Sequence, residues 1–175
     1  VQSTETSLLI TFTNSFTTEG DLSESATLTI STASSNPADA EVICTTSSTE
    51  DECNTLTLLA FNIKAEKDDV LVTDIVVDLQ KTDAGTASTS AAYLYDGSTL
   101  VGSATSMNFS GQGSVTFTDI DYKVLRDTTK TLTFKVDVID NIVDASIWSA
   151  STTAADFTSE NNRGTSVTES GNGLG

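Results

Sequence analysis

The chain has 175 residues, with 25 acidic against 8 basic and a net charge of −17. That balance argues against nucleic acid and anionic membranes, both of which are gripped through Lys and Arg. Histidine is absent, which removes the commonest general base and zinc ligand and excludes Ser–His–Asp and Cys–His catalysis.

In chain order, the first expected strand is 5–13, where Leu8, Ile10 and Phe12 alternate with Ser7, Leu9, Thr11 and Thr13. Such a period of two marks a strand with one apolar face. A turn or linker containing Gly20 follows, then a strand over 26–32 with Leu28 and Ile30 on one face. Residues 34–39 read as a loop around Asn36-Pro37, and 41–45 as a short strand. Cys44 and Cys53 bracket the acidic stretch TTSSTEDE. Two thiols without histidine make a poor metal site, so a disulfide is expected, worth roughly 2.5–3 kcal/mol in the chain-entropy model. It implies an oxidising compartment. The chain begins at Val1 and shows no signal peptide, as a processed, secreted product would. No apolar run approaches the roughly 20 residues of a membrane-spanning helix, so no membrane insertion is expected.

The stretch 55–67, TLTLLAFNIKAEK, begins with Leu56 and Leu58 on one side and then shifts to Leu59, Phe61, Ile63 and Ala65. A one-residue change of phase is what a β-bulge produces. After a turn at Lys67-Asp68-Asp69, the strand 70–79 slips phase once more near Thr73-Asp74. Residues 81–90 are expected to loop around Gly85. Residues 91–95 and 100–105 flank Asp96-Gly97, a hairpin signal. A loop is expected over 108–113, a strand over 114–118, and a crossing segment over 119–129 that plugs the core with Ile120, Tyr122 and Val124.

The clearest strand is 131–138, TLTFKVDV, with Leu132, Phe134, Val136 and Val138 on one face. It needs a second sheet to cover that face. Residues 142–148 and 154–157 read as a weak last edge strand, and 159–175 as a loose polar tail. The fold class is all-β, a sandwich of about ten antiparallel strands with an N-terminal extension strand. Its expected parts are an N-terminal strand and linker (1–20), the sandwich (21–158) and the tail (159–175).

The series LTLLAFNIKAEKDDVLVTDIVV, AYLYDGSTLVGSAT and VTFTDIDYKVLRDTTKTLTFKVDV, within 56–158, resembles the immunoglobulin-like sandwich modules of secreted bacterial and archaeal surface or pilus-like proteins. That resemblance implies an immunoglobulin-like architecture and an extracellular, cell-surface location, and no chemistry.

Several groupings bear on function. Leu8, Ile10, Phe12 and Phe16 are candidate plugs of a donor strand that completes a neighbour's sheet; pairing within the same subunit is the competing arrangement. Asp68-Asp69, Asp119 with Asp121, and Asp137 with Asp140 and Asp144 could gather Ca²⁺, but no stretch has EF-hand spacing. They read as solvated turn acids. Asn108-Phe109-Ser110 is the one N-glycosylation sequon, expected in a loop. Thr and Ser form about a third of the chain, a bias shared by O-glycosylated proteins and by the wet faces of strands. Trp148, Tyr93, Tyr95 and Tyr122 read as core or rim packing rather than a sugar platform. The expected function is structural: a subunit of an extracellular, pilus-like filament whose partners are copies of itself, with glycans as candidate additions. It needs no cofactor and is not an enzyme. The alternatives are an adhesin, a carbohydrate-binding module or an S-layer-type protein.

Overall fold

The computed structural model describes residues 25–41, 45–46, 51–82, 88–109, 112–140 and 147–175. These residues form two β-sheets. One contains β1 (Thr27–Thr32), β2 (Thr45–Thr46), β3 (Asp51–Glu66), β5 (Ser88–Asp96), β6 (Thr99–Phe109), β9 (Thr129–Asp140) and β12 (Thr168–Gly171). Its order is β12-β1-β3-β9-β5-β6, with β2 also on β3. The other is gathered around β4 (Val70–Lys81). On it pair β7 (Gln112–Phe117), β8 (Tyr122–Val124), β10 (Trp148–Ser151) and β11 (Phe157–Asn161).

The organising strand behaves as its pattern requires. Leu132, Phe134, Val136 and Val138 of β9 are buried, between β3 on one side and β5 on the other. The facing layer supplies Val70, Val72, Ile75, Val77 and Leu79 from β4, with Val115, Phe117 and Phe157. Two edge-to-face aromatic pairs cross from sheet to sheet. Phe61 meets Phe157 at 5.8 Å, and Phe134 meets Phe117 at 6.1 Å. Such pairs add about 0.5–1.5 kcal/mol each beyond their area.

Both phase changes are real irregularities. The β3–β9 register shifts between Thr57 and Leu59, where the buried run of β3 begins. The β4–β11 register shifts between Thr158 and Ser159, across from Asp74 and Val72, so Thr73 is the extra residue. A further shift lies between Cys53 and Leu56, around Thr55 at φ 56. That left-handed conformation is strained for a β-branched residue. At the crossing segment, Val124 is fully buried, and Ile120 and Tyr122 pack against the core.

Four expectations need correction. The region 81–90 is less loop than composition suggests, since Lys81 ends β4 and Ser88 begins β5. Asn108 lies in β6, not in a loop, because pairing with β5 carries that strand on to Phe109. The weak edge strand before 158 is two elements, β10 and a 3₁₀ turn over Ala154–Asp156 leading into β11. The turn starts at Thr153, whose side chain and backbone N–H both bond Asp156.

The largest correction concerns 159–175, which is no loose tail. Residues up to Asn161 lie in β11 on β4, and β12 lies parallel on β1, Thr27 opposite Thr168. Val167 and Leu174 are buried, and Leu174 exchanges backbone hydrogen bonds with Thr152 at 2.8 and 2.9 Å. The donor-strand residues Leu8, Ile10, Phe12 and Phe16 lie outside the described residues.

Candidate functional site

The surface with the least ordinary chemistry is the free border formed by β6. The hairpin that presents it closes with Asp96 opposite Thr99, across Gly97-Ser98. Gly97 takes φ +59, the left-handed geometry a two-residue hairpin turn asks of its first central residue. A register shift at Leu94/Tyr95 then leaves Val101 unpaired, and the ladder resumes with Gly102 opposite Leu94. Gly102 faces inward. A Cβ there would sit 3.0 Å from Phe117 and 3.1 Å from Ile120, so the glycine lets the two sheets approach at this border.

Beyond β6, sheet pairing stops among the described residues. From Gly97 to Thr118 the chain has no Asp, Glu, Lys or Arg, although the whole molecule carries −17. Exposed sheet borders in soluble proteins are usually blunted by charge, proline or brevity. This border has eleven residues with no charge and no proline; its irregularities are the shifts at Val101 and between Thr105 and Phe109.

The outer face beside it is aromatic. Tyr95 stands opposite Leu100 and Tyr93 opposite Ser103; Leu100 is 50 % exposed. The Tyr93 and Tyr95 rings are 6.2 Å apart, and the Lys135 ammonium lies 5.1 Å from the Tyr95 ring centre. The Tyr93 hydroxyl donates to Asp137 Oδ2 at 2.7 Å, and the Thr55 N–H donates to Asp137 Oδ1 at 2.7 Å. Asp137 is therefore occupied in tying β3, β5 and β9 together. The bond to Asp137 and burial raise the Tyr93 hydroxyl pKa.

Asp96 closes the end of the sandwich below this border. Its Oδ2 accepts from the Tyr122 hydroxyl at 2.7 Å and from Lys130 at 3.1 Å. Those partners, Tyr122 first, hold its carboxyl below the usual range. Burial, then Asp96, push the Tyr122 hydroxyl well up.

Among the described residues the acids nominated for Ca²⁺ are engaged elsewhere or stand apart; Asp144 lies outside the described residues. Asp69 accepts from the Arg126 N–H at 2.8 Å and pairs with Lys123 at 2.9 Å. The backbone bond first, then the lysine, take its pKa down to about 2. Asp119 and Asp121 are exposed turn residues at φ 52 and 46. No group of three or more metal-ligating side chains exists among the described residues. Cys53 is disulfide-bonded; Cys44 lies outside the described residues.

Two surface depressions are polar and of modest size. One, about 300 Å³, is lined by Asp78, Gln80, Gln112, Ser114, Ser149 and Ser151. The other, about 370 Å³, lies among Asp68, Asp69, Leu125, Arg126 and Asn162. Neither combines an apolar lining with converging polar groups, the usual marks of a ligand site. Trp148 is part-buried, with its indole N–H lacking a hydrogen-bond partner among the described residues.

Pattern reading missed the clustering of Tyr93 with Tyr95 beside β6, the bridging part of Asp137, and the full length of the border. The charge-free run 97–118 was the signal for the last of these. No helix among the described residues is long and apolar enough to cross a membrane. No protein-family model matches the chain, and no curated protein matches it either.

Proposed function

We propose that the protein is a structural subunit of an extracellular filament, an immunoglobulin-like sandwich whose copies join by β-strand complementation. The observation that carries this reading is the β6 border, eleven residues long, charge-free and without a strand partner among the described residues. Strand addition to such a border gives affinity through the main chain and specificity through alternate side chains. The N-terminal stretch has the matching form, with Leu8, Ile10 and Phe12 on one side and Phe16 beyond. The disulfide at Cys53 supports an oxidising, extracellular setting.

Negative-stain microscopy of purified chain should show fibres. Deleting residues 1–16 should leave a folded monomer that no longer forms them. A deletion product that still polymerises would remove the N-terminal strand as the linker.

A second reading, a cell-surface adhesin or carbohydrate-binding module, draws on the Tyr93–Tyr95 pair on one sheet face. Polysaccharide-retarded migration that is lost in a Tyr93→Ala/Tyr95→Ala double variant, with no fibres in either protein, would favour it. Asn108, at the far end of β6, stays a candidate glycosylation site, and a mass shift after glycosidase treatment would detect occupancy.

A further inference from the structure

We infer that the acceptor is the β6 border of a neighbouring copy, occupied by that copy's successor through residues 7–13, so that the seven-stranded sheet continues from subunit to subunit; this rests on the filament reading above. Among the described residues, every other strand at a sheet border has two to six residues: β2 two, β8 three, β10 and β12 four, β11 five and β7 six. Among the described residues β6, with eleven, is the end strand long enough to cover 7–13; its ladder to β5 shifts at Val101 and again between Thr105 and Phe109.

Charge selects the same pair. Two copies at −17 repel each other, so a contact is cheapest where acids are missing from both surfaces. Residues 7–18 and 97–118 are both charge-free. Within β6, Gly102 and Ala104 point inward and Leu100 and Ser103 outward with the tyrosines. An added strand would set Leu8, Ile10 and Phe12 against the inter-sheet seam and Thr11 beside Ser103.

The polarity of assembly follows from where the arm leaves. The first described residue is Ser25, just ahead of β1. In the sheet order, β3, β9 and β5 separate β1 from β6, four strand spacings or about 19 Å. The arm's point of attachment at β1 and the β6 acceptor thus lie on opposite sides of one sheet. Such a contact is heterologous, and each copy donates on one side and accepts on the other, which yields an open chain unless rotation closes a ring.

A competing seam exists on β3. β1 releases β3 at Phe61 and β2 resumes at Glu52. Part of it is already filled, because Ala60 donates to Asn36 Oδ1 at 2.8 Å and accepts from the Ala33 N–H at 3.1 Å.

The test uses full-length chains carrying single cysteines. A Thr11→Cys chain is mixed with a differently tagged Ser103→Cys, Thr57→Cys or Ser170→Cys chain and oxidised. Products are read on non-reducing gels and the same samples by microscopy. Ser103 and Ser170 are exposed, so these variants keep the fold. Fibres together with at least a tenfold excess of the Thr11→Cys/Ser103→Cys product over the other two would support the acceptor. Fibres linked through Thr57→Cys or Ser170→Cys, or through none of the three, would overturn the β6 acceptor and leave the filament reading standing. A Thr11→Cys/Ser103→Cys double variant that links only within one chain, without fibres, would overturn both.

Discussion

The seven-stranded sheet ends differently on its two sides. On one side the last residues of the chain are used up: β12 is four residues long and lies parallel on β1. It carries Glu169, which accepts a hydrogen bond from Ser159 of the other sheet at 2.6 Å. Val167 and Leu174 anchor it by burial. On the other side, β6 is long, uncharged and without a partner along its outer edge among the described residues. The first side is finished by packing within the subunit. The second has the hydrogen-bonding capacity of a full strand left over. On the proposed reading, stability belongs to one border and assembly to the other, and the contrast can be tested from both ends.

The largest effect belongs to the β12 side. Truncation after Asp156 removes buried Phe157, Val167 and Leu174. At about 1.5–3 kcal/mol for each large apolar side chain, the loss is comparable to the whole stability of an ordinary domain. Circular dichroism should then show no cooperative thermal transition; a truncated chain that melts normally would refute the assignment.

Next comes Gly171→Ala. A Cβ at Gly171 would lie 2.2 Å from the Ile30 carbonyl oxygen, on a backbone at φ +138. The clash and the strained dihedral should cost about 2–3 kcal/mol, read as a lower denaturant midpoint. Ser103→Lys on the opposite border, at an exposed position, should change the stability by less than about 0.5 kcal/mol while abolishing fibres. Equal destabilisation by the two substitutions would erase the distinction.

The smallest effect involves neither border. The depressed Asp69 pKa, about 2 against an ordinary 3.8, stabilises the fold above that ordinary value. The contribution is lost as pH falls from about 4 through about 2. Asp69→Asn should flatten this acid limb in pH-dependent melts and leave fibre formation at neutral pH unchanged.

Side-chain period made the middle of both sheets legible. Leu132, Phe134, Val136 and Val138 announce β9, and the phase breaks at Leu58-Leu59 and Thr73-Asp74 announce two bulges, because alternation records which face is buried. The C-terminal segment hid itself for the opposite reason. Its anchors Phe157, Val167 and Leu174 stand far apart among Ser, Asn, Glu and Gly, so no window holds a period. Their partners, Phe61, Thr152 and Ser159 among them, are distant in sequence or sit across a turn. The length of β6 was obscured by Gly102, Ser103 and Ala104, which are poor strand formers alone and are held by the hairpin. The aromatic patch needed the register, since Tyr93, Tyr95, Lys135 and Asp137 meet only once β5 is laid on β9.

The uncharged flank on a strongly anionic body makes ionic strength a control on association. In roughly 10 mM salt the Debye length is about 30 Å, and the acids of one molecule are felt by its neighbour before the bare strands touch. Near 150 mM it shrinks to about 8 Å, and the flank becomes approachable. Light scattering should therefore show growth quickening as electrolyte is added. A rate that is unchanged or slowed would mean that charge has no part in keeping molecules apart.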